Sequence, residues 1–164
     1  MTSTIPVFGP SPAIIIPTET DKAYAAGFFD GEGNITIAVN WNGGTDNRYR
    51  VYNMRIGASQ NDVSVLFWFR DRWGGTVRQI KRNTPHRAHE WQCFSRQALR
   101  CLSDFLPYLH VKRERAELAI QVQSSITRFG RGGRPKEFLG YLSAIIPSGQ
   151  VTQDDVRFCA SGAK

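Results

Sequence analysis

From residue 34 to residue 42, polar and apolar positions alternate. Ile35, Ile37, Val39 and Trp41 fall on one side, and Asn34, Thr36, Ala38, Asn40 and Asn42 on the other. A period of two predicts a half-buried strand. Asn42-Gly43-Gly44 and Asp46-Asn47 supply turn chemistry. A second strand follows, with Tyr52, Met54, Ile56 and Ala58 on one face and Val51, Asn53, Arg55 and Gly57 on the other. The pair makes a hairpin with one apolar face and one polar, partly basic face. Upstream, Thr20 or Asp21 is a suitable N-cap for a helix reaching about Asp30, closed by Gly31 and Gly33. Downstream, Asn61 or Asp62 can cap a helix in which Val65, Leu66, Phe69 and Trp73 recur at helical spacing, and Gly74-Gly75 stops it.

The pattern then repeats in kind. Strand-like stretches at 76–82 and 89–94 flank the turn Asn83-Thr84-Pro85. Ser95 is placed to cap a helix with Ala98, Leu99, Leu102 and Phe105 inward, and another helix spans about 112–124 after the boundary at Pro107. Arg128, Arg131 and Arg134 are assigned to a glycine loop around 130–133, and Pro135 opens a last short helix with Phe138, Leu139, Leu142 and Ile145. The first twenty residues carry four of the eight prolines and read as an extended arm with one short strand at 13–16. The expected organisation is an arm (1–20), one domain (21–147) and a polar tail (148–164). The order α-β-β-α-β-β-α-α predicts an α+β fold: a four-stranded antiparallel sheet with helices on one face. The other face is left free, and such a twisted ribbon fits a DNA major groove.

Composition sharpens this picture. With 41% hydrophobic residues the chain can build a core, and its longest apolar run, 65–69, is too short to cross a membrane. The net charge of +7 is unevenly placed: residues 1–47 carry −4, 48–100 carry +8 and 101–164 carry +3. Sixteen of the 21 basic residues are Arg, the side chain that makes bidentate contacts to phosphate and guanine. Three cysteines without a secretory signal point to an intracellular, reducing compartment. His86, His89, Cys93 and Cys101 lack the paired-knuckle spacing of a zinc site.

The stretch Ala25-Ala26-Gly27-Phe28-Phe29-Asp30-Gly31-Glu32-Gly33 is unusual in three ways. Small residues run consecutively inside a helix, which lets two helix backbones approach. Two acids sit at the helix C-terminus, where the dipole is already negative, so the placement calls for a cation. Glycines flank Glu32, exposing a carboxylate and a carbonyl oxygen of the type that suits Mg²⁺ or Ca²⁺. These nine residues resemble the signature of the LAGLIDADG homing endonucleases, with Ala25 for the usual Leu and Phe28-Phe29 for Leu-Ile. The element order matches that family, and residues 106–118 are similar to its Pro-Tyr-Leu…Lys…Ala-Glu-Leu segment.

The resemblance implies a homing-endonuclease fold with a saddle-shaped sheet, acting on double-stranded DNA. A single motif copy implies a homodimer in which two motif helices meet about a two-fold axis, with Ala23, Ala26 and Gly27 at the contact. It implies that Glu32 and the Gly31 carbonyl hold Mg²⁺ (Ca²⁺ or Mn²⁺ in the same sites), that Gln60 orders active-site water, that Lys112 lies near the scissile phosphate, and that Asp30 orders the helix ends. Ser64 stands where relatives carry a further basic residue. The expected DNA-reading set is Asn34, Thr36, Asn40, Asn42, Asn53, Arg55, Arg78 and Arg82, with Arg48, Arg50, Arg128, Arg131 and Arg134 on phosphates. Two other activities stay open: an RNA maturase acting on intron RNA, and a catalytically silent DNA-binding protein of the same fold.

Overall fold

The computed structural model describes residues 15–42, 49–80 and 88–129. Helix α1 (Glu19–Glu32) runs without a loop into strand β1 (Gly33–Asn42), which pairs with β2 (Tyr49–Gln60). Helix α2 (Val63–Trp73), strands β3 (Thr76–Ile80) and β4 (Ala88–Phe94), helix α3 (Ser95–Phe105), a 3-10 turn (Leu106–Tyr108) and helix α4 (Arg113–Phe129) complete the order. The sheet order is β1-β2-β4-β3, antiparallel throughout. Two local hairpins are thus joined through the non-local pair β2–β4, in which Gln60 stands opposite His89.

All helices pack on one face. Tyr52, Met54, Ile56 and Ala58 of β2 are buried there with Ile35 and Ile37 of β1, as the alternation requires. Phe69, Trp73, Trp91 and Phe105 form an aromatic centre, with Phe69 and Trp91 centroids 4.9 Å apart and Trp73 and Phe105 5.0 Å apart. The Trp91 indole N–H donates to the Gly74 carbonyl at 2.7 Å. The tight return from α2 to β3 depends on this close approach. Gly75 has φ +90°, and a Cβ there would lie 2.4 Å from the Gln92 carbonyl oxygen. Cys93 is buried in this core, and its Sγ lies 3.8 Å from that of Cys101.

Several expected boundaries move. The N-cap of α1 is Thr18, not Thr20 or Asp21; Asp21 is instead the return partner, its carboxylate accepting from the Thr18 N–H at 2.9 Å. The helix continues through Gly31 and Glu32 and is capped by Gly33, whose backbone N–H donates to the Phe29 carbonyl. Ile15 and Ile16 form no strand; the Ile15 N–H donates to the Asp71 carbonyl. Ser95 does not cap α3: it takes φ +49° as the first helical residue, and its hydroxyl turns toward β2. With no breaker before Gly130, α4 runs to Phe129, so Arg128 belongs to a helix rather than to the glycine loop. The arm to residue 14, Arg48, Arg82, Arg131, Arg134, the expected helix after Pro135 and the polar tail lie outside the described residues. No described helix is long and apolar enough to cross a membrane.

Candidate active site and nucleic-acid interface

The end of α1 is tied to the start of α4. The Asp30 carboxylate accepts three consecutive backbone N–H groups: His110 at 2.7 Å and Val111 at 3.2 Å on Oδ2, and Lys112 at 2.9 Å on Oδ1. In return the Lys112 ammonium donates to the Asp30 carbonyl. Lys112 immediately precedes α4, its carbonyl accepting from the Ala116 N–H at 2.9 Å. A negative side chain therefore meets the positive end of α4 and a positive side chain meets the negative end of α1. Burial pushes the Asp30 carboxyl up, but the three N–H donors and the nearby Lys112 charge outweigh it and hold the group below its usual 3.8.

This clamp orders the residues around Glu32. Glu32 is exposed and makes no hydrogen bond or ion pair with any described residue. Gly33 must be glycine, since a Cβ would lie 2.4 Å from the Phe29 carbonyl oxygen. The chain can therefore turn from helix to strand immediately after the exposed carboxylate. Its surroundings are oxygen donors at the negative end of a helix, which fits a hard divalent cation. Among the described residues no three His, Cys, Asp or Glu side chains cluster to hold a metal ion. Gln60 lies at the same end of the sheet. The β1–β2 register finishes at Gly33 opposite Ala58, and Ser59 and Gln60 run beyond it. The Gln60 Oε1 accepts from the Asn61 N–H at 2.8 Å.

The expected dimer positions divide. Ala23 and Gly27 are exposed on α1 together with Thr20, Tyr24 and Gly31, and nothing lies within 4 Å of a Cβ built at Gly27. Ala26 is fully buried in this chain's own core beside Ala25 and Phe29. It is corrected accordingly: helical spacing turns residue 26 away from the exposed stripe.

The outer sheet face holds Asn34 and Thr36 of β1, Asn53 and Arg55 of β2 and Arg78 of β3, all on the side opposite the buried alternation. Asn40, Asn42 and Arg50 sit in the outer half of the first hairpin, where Asn40 pairs with Val51, Asn42 with Tyr49 and Arg50 with Trp41. Thr36 donates its hydroxyl to the Arg55 carbonyl at 3.3 Å. Ser95 donates to Asn53 Oδ1 at 3.2 Å, which leaves the Asn53 amide N–H groups for another acceptor. Two residues of this face escape sequence reasoning. One is Ser95. The other is Glu90, a 7% exposed acid in the middle of the basic face that bridges Arg55 and Arg78. Alternation with Trp91 and Cys93 places Glu90 on that face, but nothing local names its partners.

No protein-family model and no curated protein matches the sequence. Solved structures do match the fold. The chain is similar to the homing endonuclease I-CvuI, whose structure holds an I-CreI target DNA that is not cleaved, in 2 mM Mg. The TM-score is 0.64 and the identity 21%, over 87% of this chain and 94% of that one. It is similar to the group I intron-encoded homing endonuclease I-CeuI in complex with DNA (TM-score 0.64, 14% identity, 93% of this chain and 80% of that one). The LAGLIDADG homing endonuclease I-GzeII, also with its DNA target, matches with a TM-score of 0.56 and 15% identity, over 87% of this chain but 48% of that one.

Proposed function

From the LAGLIDADG homing-endonuclease fold that this chain has, we propose that it is a site-specific double-strand DNA endonuclease acting as a homodimer. The observation that carries the reading is the exposed Glu32 carboxylate at the α1–β1 junction, where the polar, Arg-bearing sheet face begins. The span of one chain, nearly all of I-CvuI and about half of I-GzeII, supports two copies as the working unit. Two α1 helices meeting along Thr20, Ala23, Gly27 and Gly31 would bring two Glu32 carboxylates together on one two-fold axis. The pair, with helix-end carbonyls such as that of Gly31, is the set that would hold Mg²⁺.

When bound, a divalent ion supplies a more acidic water and charge neutralisation at a phosphate. The chain's own residues do the rest. Glu32 binds and orients through its carboxylate. The Lys112 ammonium, anchored by one of its three N–H groups on Asp30, has two left for a phosphate oxygen. The sheet face positions the duplex through its Arg and Asn side chains. Cys93 and Cys101, adjacent free thiols, fit a reducing compartment.

The test is incubation of the purified full chain, with Mg²⁺ and with EDTA, on a duplex spanning the uninterrupted form of its own insertion site. Double-strand cleavage that disappears with EDTA and in Glu32→Gln is expected. Tight duplex binding without cleavage in Mg²⁺ would refute the nuclease in favour of a DNA-binding protein, and intron splicing that needs the protein would establish a maturase.

A further inference from the structure

Glu90 lies where a surface built only to attract phosphates would carry no acid. Its Oε1 accepts from Arg55 Nη2 at 3.0 Å, and its Oε2 accepts from Arg78 Nε at 3.1 Å and Nη2 at 2.9 Å. The Gln92 amide also donates to Oε2. The Glu90 side chain is almost fully enclosed, whereas the Arg55 and Arg78 side chains remain 32% and 55% exposed. Arg55 Nε is buried without a partner. The Arg55 orientation therefore follows the carboxylate rather than the best use of its own donors. Each guanidinium has five N–H groups. After the bonds to Glu90 and the enclosed Nε–H of Arg55, three terminal N–H groups remain on each.

We propose that Glu90 is a specificity-determining positioning residue: it holds Arg55 and Arg78 as two pre-set forks facing guanine edges in the DNA major groove. This inference rests on the DNA-reading role proposed above and names what makes that role selective. Two physical effects act together. Holding the Arg side chains before DNA arrives removes rotamer freedom that would otherwise be lost on binding, and fixes the angle needed for bidentate contact with guanine O6 and N7. Cancelling one of the two positive charges weakens indiscriminate attraction to phosphate, so that a larger share of the affinity depends on base edges.

The experiment is selection of binding sites from a random double-stranded oligonucleotide library by the full chain, together with its Arg55→Ala, Arg78→Ala, Glu90→Gln and Glu90→Asp variants. The two Arg variants are expected to lose preference at their own base positions. Glu90→Gln is expected to lose about tenfold or more of the preference at both sets of positions. It should also bind a fixed random-sequence duplex several-fold more tightly, with a steeper salt dependence, an effect that a merely structural role would not produce. Glu90→Asp keeps the charge and shortens the reach. It should retain the wild-type salt dependence and still relax the same positions, and it decides the matter if Glu90→Gln fails to fold. A wild-type site read identically by the Glu90 variants would overturn the inference alone. A wild-type selection that enriches no sequence would overturn the DNA-reading role and the inference with it.

Discussion

Asp30→Asn is the perturbation that most directly tests the clamp between α1 and α4. The carboxylate spreads three backbone N–H bonds over two oxygens, two on Oδ2 and one on Oδ1. An amide offers one acceptor oxygen and turns its NH₂ toward the remaining donors, so one or two bonds are lost and the charge with them. Hydrogen bonds to a charged group contribute about 1.5–3 kcal/mol each. His110 and Val111 are exposed, so water replaces part of that loss, and the expected cost is about 2 kcal/mol. For a chain of this length that is a Tm drop of about 4–8 °C. The pH dependence has a definite sign. The carboxyl is held below its usual 3.8 in the folded protein. It therefore contributes stability that is fully present above that value and lost as pH falls through the lower, folded value. Urea titrations followed by circular dichroism at pH 7 and at about pH 3 should show the difference between wild type and Asp30→Asn shrinking with acid. An equal difference at both pH values, or none at pH 7, would refute the electrostatic account of the clamp.

Two further substitutions separate packing within the chain from packing between chains. Gly27→Leu meets open space in the single chain, so its far-ultraviolet spectrum should match wild type, while sedimentation should show a dimer for wild type, as proposed, and a monomer for the variant; an unchanged dimer would exclude α1 as the contact. Gly75→Ala puts a Cβ 2.4 Å from the Gln92 carbonyl oxygen at φ +90°. Left-handed backbone at about 1–2 kcal/mol and overpacking at about 1–3 kcal/mol sum to a loss of about 3 kcal/mol, read as a lower urea midpoint; a midpoint matching wild type would contradict the tight α2–β3 return.

The elements were legible because their periods are clean. Ile35 and Ile37 against Asn34 and Thr36, and Tyr52 to Ala58 against Asn53 and Arg55, assign strand and face without further information, and the structure buries the apolar set. The helix ends were less legible. Thr18 competes with Thr20 as a cap, and only the reciprocal bond from the Thr18 N–H to Asp21 decides between them. Ala26 looked available for a helix contact because small residues run together from 25 to 27; their facing depends on which side of α1 meets the sheet. The candidate site was legible as a motif, Asp30 to Gly33, and as a single later lysine. Its geometry was not, because Asp30 and Lys112 are 82 residues apart in sequence.

By itself, then, the sequence determined the order of strands and helices from α1 to α4, the two faces of the strands where burial is described, the uneven charge and the acidic glycine motif. All of these depend on side-chain chemistry within a few residues. Tertiary structure alone decided that β2 lies beside β4, that the end of α1 and the start of α4 cap each other, and that Glu90 joins Arg55 to Arg78. Each of these joins groups far apart along the chain. Local periodicity specifies which face a residue occupies but carries no record of its neighbour there. That neighbour is chosen when the sheet closes over a shared core and every buried charge and backbone end must find a partner.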